Sequence, residues 1–254
     1  MATSLTSNRT DFRSTMTAAL GFLAAALSIS VVWPQVWRSC RQGRTRGLSP
    51  TSTWLAVGLN LCWLTFGVLT GDPAQIATHT VVGAGNTAVL VALLVTQPHL
   101  RSGRALLRTA TGALGLAALA AGSLAAVLLH GAQPTVVGAT LGSIVSLVGA
   151  AAALPQPLTL LSDRNLDLSG LSPARWRLGA GSAASWVGYG WMENQPTVWL
   201  SAGFGLLCAG VVCAVLRARR TTEVDPVRPV SVTVPAPWSR FVCPAQARAV
   251  LTAA

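Results

Sequence analysis

The sequence predicts an all-α membrane protein: seven transmembrane helices, arranged as two parallel three-helix-bundle repeats joined by a linker helix, a 3+1+3 layout. Three observations predict it. The 254-residue chain is 52% hydrophobic and only 10% charged, against about 25% charged in an ordinary soluble domain, so it lacks the charge to cover a water-facing surface. Its apolar residues gather in seven stretches of spanning length, each needing about 20 residues to cross a bilayer. And one three-helix stretch of the chain recurs further along it.

The stretches run over about 15–37, 51–70, 74–96, 105–130, 135–161, 171–192 and 195–216, and none holds an Asp, Glu or Arg near its centre. The first is expected to be a retained helix and not a signal peptide, because no convincing cleavage site precedes the next basic loop. Residues 218–254 differ in composition. Pro226, Pro229, Pro235, Pro237 and Pro244 stand among Arg, Ser and Val, a density of proline that prevents helix propagation, so a flexible cytoplasmic tail is expected there.

The chain has 18 basic residues, all Arg, against 7 acids, for a net charge of +11. On a soluble protein that excess would suggest nucleic acid; here its placement argues for membrane orientation. Arg38, Arg41, Arg44 and Arg46 follow the first stretch, Arg101, Arg104 and Arg108 the third, Arg164, Arg175 and Arg177 the fifth, and Arg217, Arg219 and Arg220 the seventh. The alternate loops carry Asp72, His130 and Glu193 and no Arg, and only Arg9 and Arg13 depart from the pattern. The positive-inside rule then puts the N-terminus outside and the C-terminus in the cytoplasm. The Lys-free, Ala-rich composition points to a GC-rich bacterial genome and hence to the plasma (inner) membrane.

The internal repeat is carried by residues that are hard to match by chance. Pro34-Gln35 recurs as Pro155-Gln156. At an offset of 123, Gly47-Leu48-Ser49-Pro50, Leu55, Gly58, Trp63, Gly67 and Pro73 meet Gly170-Leu171-Ser172-Pro173, Leu178, Gly181, Trp186, Gly190 and Pro196. Three spans per copy would invert the second; the unpaired fourth helix restores its orientation, making the repeats parallel about an axis along the membrane normal. The expected organisation is a first repeat over 15–96, a linker helix over 105–130, a second repeat over 135–216, and the tail.

These residues resemble the PQ-loop/SWEET superfamily: two Pro-Gln pairs, each at the cytoplasmic end of the first helix of a triple-helix repeat, a basic loop after the first, the Gly-Leu-Ser-Pro helix start and the Trp-bearing second helix. The resemblance covers about residues 18–216. It implies a transporter with a central solute pocket between two three-helix bundles. Relatives move sugars, or cystine and cationic amino acids, and the KDEL receptor shares the fold.

Candidate site residues follow. Proline removes a backbone donor and frees the carbonyl four residues earlier, so Pro34 and Pro155 are candidate hinges or static kinks, with Gln35 and Gln156 placed to bond the freed groups; Pro157 adds a second break. Most of the nine Trp lie near span ends, where the interfacial belt accounts for them. Trp63 and Trp186 lie inside spans and are repeat mates. They either pack structurally or clamp a small solute, their faces meeting sugar C–H groups and their N–H groups donating to hydroxyls; the resemblance places pocket aromatics here. Asn60 lies one turn from Trp63, and Ser182 and Tyr189 lie near the face of Trp186. His79, inside the third helix, is a functional candidate by its depth. It suits either a hydroxyl bond while neutral or proton carriage. Asn86 shares its face about 10 Å along the axis. The resemblance implies a pocket Asn on the third helix of each repeat; His79 fills that slot in the first copy and Ser201 or Ala202 in the second, with Asn86 an alternative.

No cofactor is expected: there is no phosphate-binding loop with Lys, no metal-spaced Cys/His set among five cysteines, and no credible catalytic triad. The expected partners are a small-molecule solute and the lipid bilayer, with no nucleic acid; a homo-oligomer is compatible with one pathway per chain. Three functions stay open. The first is facilitated alternating-access transport of a small neutral solute, a sugar, favoured by the absence of a mid-membrane acid. The second is proton-coupled, cystine-like amino-acid export. The third is a non-transporting receptor or scaffold.

Overall fold

A computed structural model describes residues 2–163 and 172–223, with side chains described over 14–163 and 172–219. Arg164, Gly170-Leu171 and the proline-bearing tail beyond Glu223 lie outside the described residues. The chain divides into a body, Met1–Leu216, and a segment, Arg217–Ala254.

Every regular element among the described residues is helical. In order these are α1 (Ala2–Val36), continued by one π-helical stretch (Trp37–Arg41), α2 (Pro50–Thr70), α3 (Pro73–Thr96), a 3-10 turn (Pro98–Arg101), α4 (Gly103–His130), α5 (Pro134–Ala153), α6 (Pro155–Ser162), α7 (Pro173–Met192) and α8 (Pro196–Glu223). The seven expected rods are all present, α5 and α6 together forming the fifth. Six of them are long and apolar enough to cross a membrane. The less apolar rod, α7, holds Arg175 and Arg177 in its first two turns and is rich in Gly and Ser. Leu128 and Leu129 are 78% and 77% exposed, which suits hydrocarbon around the helices far better than water.

Local chemistry sets the helix starts. Six helices begin with proline at the first position, where no N–H partner is needed. Ser49, Asp72 and Ser172 cap three of these, accepting from the backbone N–H of Ser52, Gln75 and Arg175. The Ser-Pro starts of α2 and α7 are thus the same cap in both copies. Gly71 and Gly131 end α2 and α4 in the left-handed region, with φ of +67° and +64°, a conformation that glycine takes without Cβ strain.

The fifth span, Pro134–Ser162, carries the expected proline interruption: Pro155 and Pro157 lack N–H groups, and the helical hydrogen bonding is interrupted at Leu154. Pro34, by contrast, sits inside an unbroken α1. α8 is helical through Glu223, a few residues into the stretch read as tail, because Arg and Ala propagate helix well.

Packing in the body is reciprocal. α1 lies against α7, and α2 against α5. A Cβ on Gly21 of α1 would come within 2.7 Å of the Tyr189 ring and 3.0 Å of Ala74; one on Gly142 of α5 would come within 3.0 Å of the Phe66 ring and 3.2 Å of Thr197. Gly21 and Gly142 stand at the spacing of Pro34 and Pro155, and Phe66/Tyr189 and Ala74/Thr197 at the spacing of Trp63 and Trp186. Each copy therefore inserts the same aromatic position against a glycine of the other. Phe66 also centres the core with Cys62, Leu116, Leu141 and Val145.

The glycine contacts make a stability prediction. A methyl at Gly190 would meet the backbone nitrogen of Trp199 at 2.8 Å, whereas one at Gly115 meets nothing within 4 Å. Gly190→Ala is expected to destabilise the body by about 1–3 kcal/mol through overpacking, and Gly115→Ala to stabilise α4 by about 0.5–1 kcal/mol. Thermal unfolding in detergent checks both; equal melting temperatures would show that the α7–α8 approach carries no constraint.

Candidate functional site

The body holds a partly open cavity of about 150 Å³. Trp63 of α2 and Gln75 and His79 of α3 line one part; Trp186 of α7 and Val198, Ser201 and Ala202 of α8 line the other. Three pairs of these, Trp63/Trp186, Gln75/Val198 and His79/Ala202, stand at the repeat offset of 123.

The two indoles are held alike. Trp63 meets Phe66 edge-on at 5.4 Å, and Trp186 meets Tyr189 edge-on at 5.4 Å. Trp63 also stacks on the His79 ring, centroids 5.9 Å apart and planes 15° from parallel. Their polar edges differ. Trp186 Nε1 donates to Ser28 Oγ at 3.1 Å, so its N–H, expected to serve a solute, is taken by α1. Ser28 donates to the Ala24 carbonyl at 2.8 Å, which leaves Ser182 Oγ as the donor in its 2.8 Å bond with Ser28.

His79 has a defined tautomer. Asn60 Nδ2 donates to the Ala56 carbonyl at 2.8 Å, which leaves Asn60 Oδ1 as acceptor toward His79 Nδ1 at 3.0 Å. Nδ1 therefore carries the proton, and Nε2 of the neutral ring is an acceptor.

The sequence-derived candidates divide accordingly. Trp63, Trp186, His79 and Ser201 line the cavity, and Asn60 orients His79 from behind. Ser182 and Tyr189 are buried, Ser182 bonded to Ser28 and Tyr189 to Asp72, and neither lines the cavity. Asn86 is half-buried on α3 and does not line the cavity. Pro34, Pro155 and Gln156 are exposed, and Gln35 donates to Ser39 Oγ at 2.9 Å, not to the carbonyl that Pro34 frees.

Two residues escaped the sequence. Gln75 lines the cavity, 2% exposed. Asp72, read as a loop acid, is 3% exposed and joins both copies: Oδ1 accepts from Tyr189 Oη at 2.8 Å, and Oδ2 accepts from Gln195 Nε2 at 3.1 Å. Gln195 is the repeat mate of Asp72, a signal that the offset itself contained.

A family model described as PQ loop repeat matches residues 16–76. Among solved structures, a eukaryotic SWEET transporter superposes with a TM-score of 0.62 at 15% sequence identity, covering 83% of this chain and 99% of its own. No curated protein matches the chain significantly. Residues 16–76 thus match a PQ-loop repeat, and the likeness to the SWEET structure shows the all-α fold of the helical body.

Proposed function

We propose that the protein is a SWEET-type transporter that moves a small neutral solute, a sugar, by facilitated alternating access through the cavity between its two copies. The observation that carries this is the cavity itself: two repeat-related indoles, a neutral imidazole, an amide and a hydroxyl, with no charged side chain among the lining residues. Indole faces suit sugar C–H groups, and a neutral solute gains nothing from the membrane potential.

The working parts follow from that reading. Residues 15–96 and 135–216 are the two moving bundles, with 105–130 as the linker. The proline junctions toward the Arg-bearing end act as hinges. Asp72, on the opposite side, is the latch, its carboxylate joining the start of α3 to Tyr189 and Gln195. The N-terminus lies outside and the C-terminus in the cytoplasm of the plasma membrane, with one pathway in each chain of any oligomer.

Proteoliposome uptake with a panel of labelled neutral sugars and amino acids, with and without a pH gradient, tests the proposal. Saturable sugar uptake that only equilibrates, gradient or not, is expected. Accumulation driven by the pH gradient would replace facilitated transport with proton coupling, for which Asp72 and His79 are the groups to vary. No flux of any solute would favour a receptor or scaffold.

A further inference from the structure

A second concavity, an open trough, lies toward the Arg-bearing end of the first copy. Cys40, in the π-helical stretch after α1, forms one wall, and a stripe of α3 from Ala84 through Ala88 and Val91 to Val95 forms the other. Ala88 follows His79 by about two and a half helical turns, so the stripe points away from the cavity that His79 lines. The lining is apolar: Thr87 donates its hydroxyl to the Gly83 carbonyl at 2.9 Å. From Ala84 to Val95 the trough is about 16 Å long, the depth of one leaflet of a bilayer whose hydrocarbon core is about 30 Å thick. Its far end is cationic. Directly after Val95, Thr96 bonds the buried side chain of Thr45, and Gln97 Nε2 donates to the Thr45 carbonyl at 3.2 Å. These bonds fasten the basic loop to the end of α3, with the exposed Arg44 and Arg46 on either side of Thr45 and the exposed Arg41 next after Cys40. Residues 37–49 and 97–108, the segments that meet there, contain no acid. Trp37, exposed at the same end, suits a headgroup-level anchor.

We propose that this trough binds an anionic phospholipid: one acyl chain lies along the Ala84–Val95 stripe against Cys40, and the phosphate meets Arg41, Arg44 and Arg46. The apolar run has the length of a chain in one leaflet. Positive charge at its mouth, with no acid beside it, favours a negative headgroup over a zwitterionic one, and guanidinium groups match phosphate oxygens in pairs. A second copy of the chain is a poorer occupant, because it would bring the same uncompensated Arg cluster to the contact. The inference holds whichever solute the protein carries.

The test titrates the purified full chain in detergent with dioleoyl phosphatidylglycerol or dioleoyl phosphatidylcholine. Native mass spectrometry counts bound lipid, and alkylation of Cys40 by N-ethylmaleimide is followed on the modified peptide. Phosphatidylglycerol is expected to bind about tenfold tighter or more, and at saturation to slow Cys40 alkylation about fivefold or more. The double variant Arg44→Gln/Arg46→Gln should weaken phosphatidylglycerol about 30-fold, at about fivefold for each Arg near the headgroup, and leave phosphatidylcholine unchanged. Arg175→Gln/Arg177→Gln, which removes the same charge from α7 outside the trough, should leave both lipids unchanged. Ala88→Phe, which fills the trough, should remove the tight binding event. Equal affinities for the two lipids, equal losses in the two Arg double variants, or Cys40 alkylation indifferent to phosphatidylglycerol would overturn the inference. Disulfide-linked dimers through Cys40 in oxidised membranes would overturn it too, by seating a second copy in the trough. If Ala88→Phe fails to fold, the lipid pair and the exposed Arg variants decide.

Discussion

Trp63→Ala and Trp186→Ala are each expected to cut sugar uptake at low concentration about 30-fold while the protein still reaches the membrane. Removing an indole withdraws about 2 kcal/mol of apolar contact from the guest. The fold should tolerate both changes. Ser28 keeps its bonds to Ala24 and Ser182 when the Trp186 N–H is gone, so no buried polar group is stranded. Trp63 gives up its edge contact with Phe66 and its stack on His79, but Asn60 still holds the imidazole. Phe at either position should retain most uptake because it retains a ring face. Initial-rate uptake, normalised to protein recovered in the membrane, is the measurement; unchanged flux in both Ala variants would remove the clamp.

Asp72→Ala should have the largest effect on the conformational balance. It deletes the cap of α3, worth about 1 kcal/mol, and leaves the Tyr189 hydroxyl and the Gln195 amide without their acceptor, at about 1 kcal/mol or more each. Together these weaken the proposed latch by about 3 kcal/mol, so the cavity should spend much longer open to the outside. A cysteine placed at Ser201, in a background with the native cysteines replaced, should then react at least tenfold faster with a membrane-impermeant maleimide added outside. Asp72→Asn should be far milder. Asn retains the capping oxygen, and Gln195 Oε1, which has no partner among the described residues, can turn to accept the new amide. Equal labelling rates across the three proteins would eliminate the latch.

Much of this architecture was legible because it depends on short-range chemistry. Hydropathy located seven rods, the Ser-Pro and Asp-Pro pairs marked helix starts, and repeat spacing singled out Trp63 and Trp186. His79 was legible by its depth alone. What escaped the sequence depends on contacts between distant segments. Asp72 reads as a loop acid because nothing in its neighbourhood announces Tyr189 and Gln195. Gln75 reads as an ordinary first-turn residue, and only the close approach of Gly67 puts it in the cavity wall. Helical periodicity correctly set Asn86 on a stripe with His79, but a stripe fixes direction and not depth. The hydroxyls of Ser182 and Tyr189 and the Trp186 N–H were assigned to a guest; neighbouring helices claim them first, because a polar group between packed helices must be satisfied.

The unequal prolines have a mechanical consequence. α1 continues through Pro34, while the hydrogen-bond ladder of the corresponding rod of the second copy is interrupted at Leu154, ahead of Pro155 and Pro157. In the proposed cycle both halves move, and the hinge of the second half is the more compliant. The inner mouth would then bend chiefly on that side, its short α6 segment swinging against the stiffer first half.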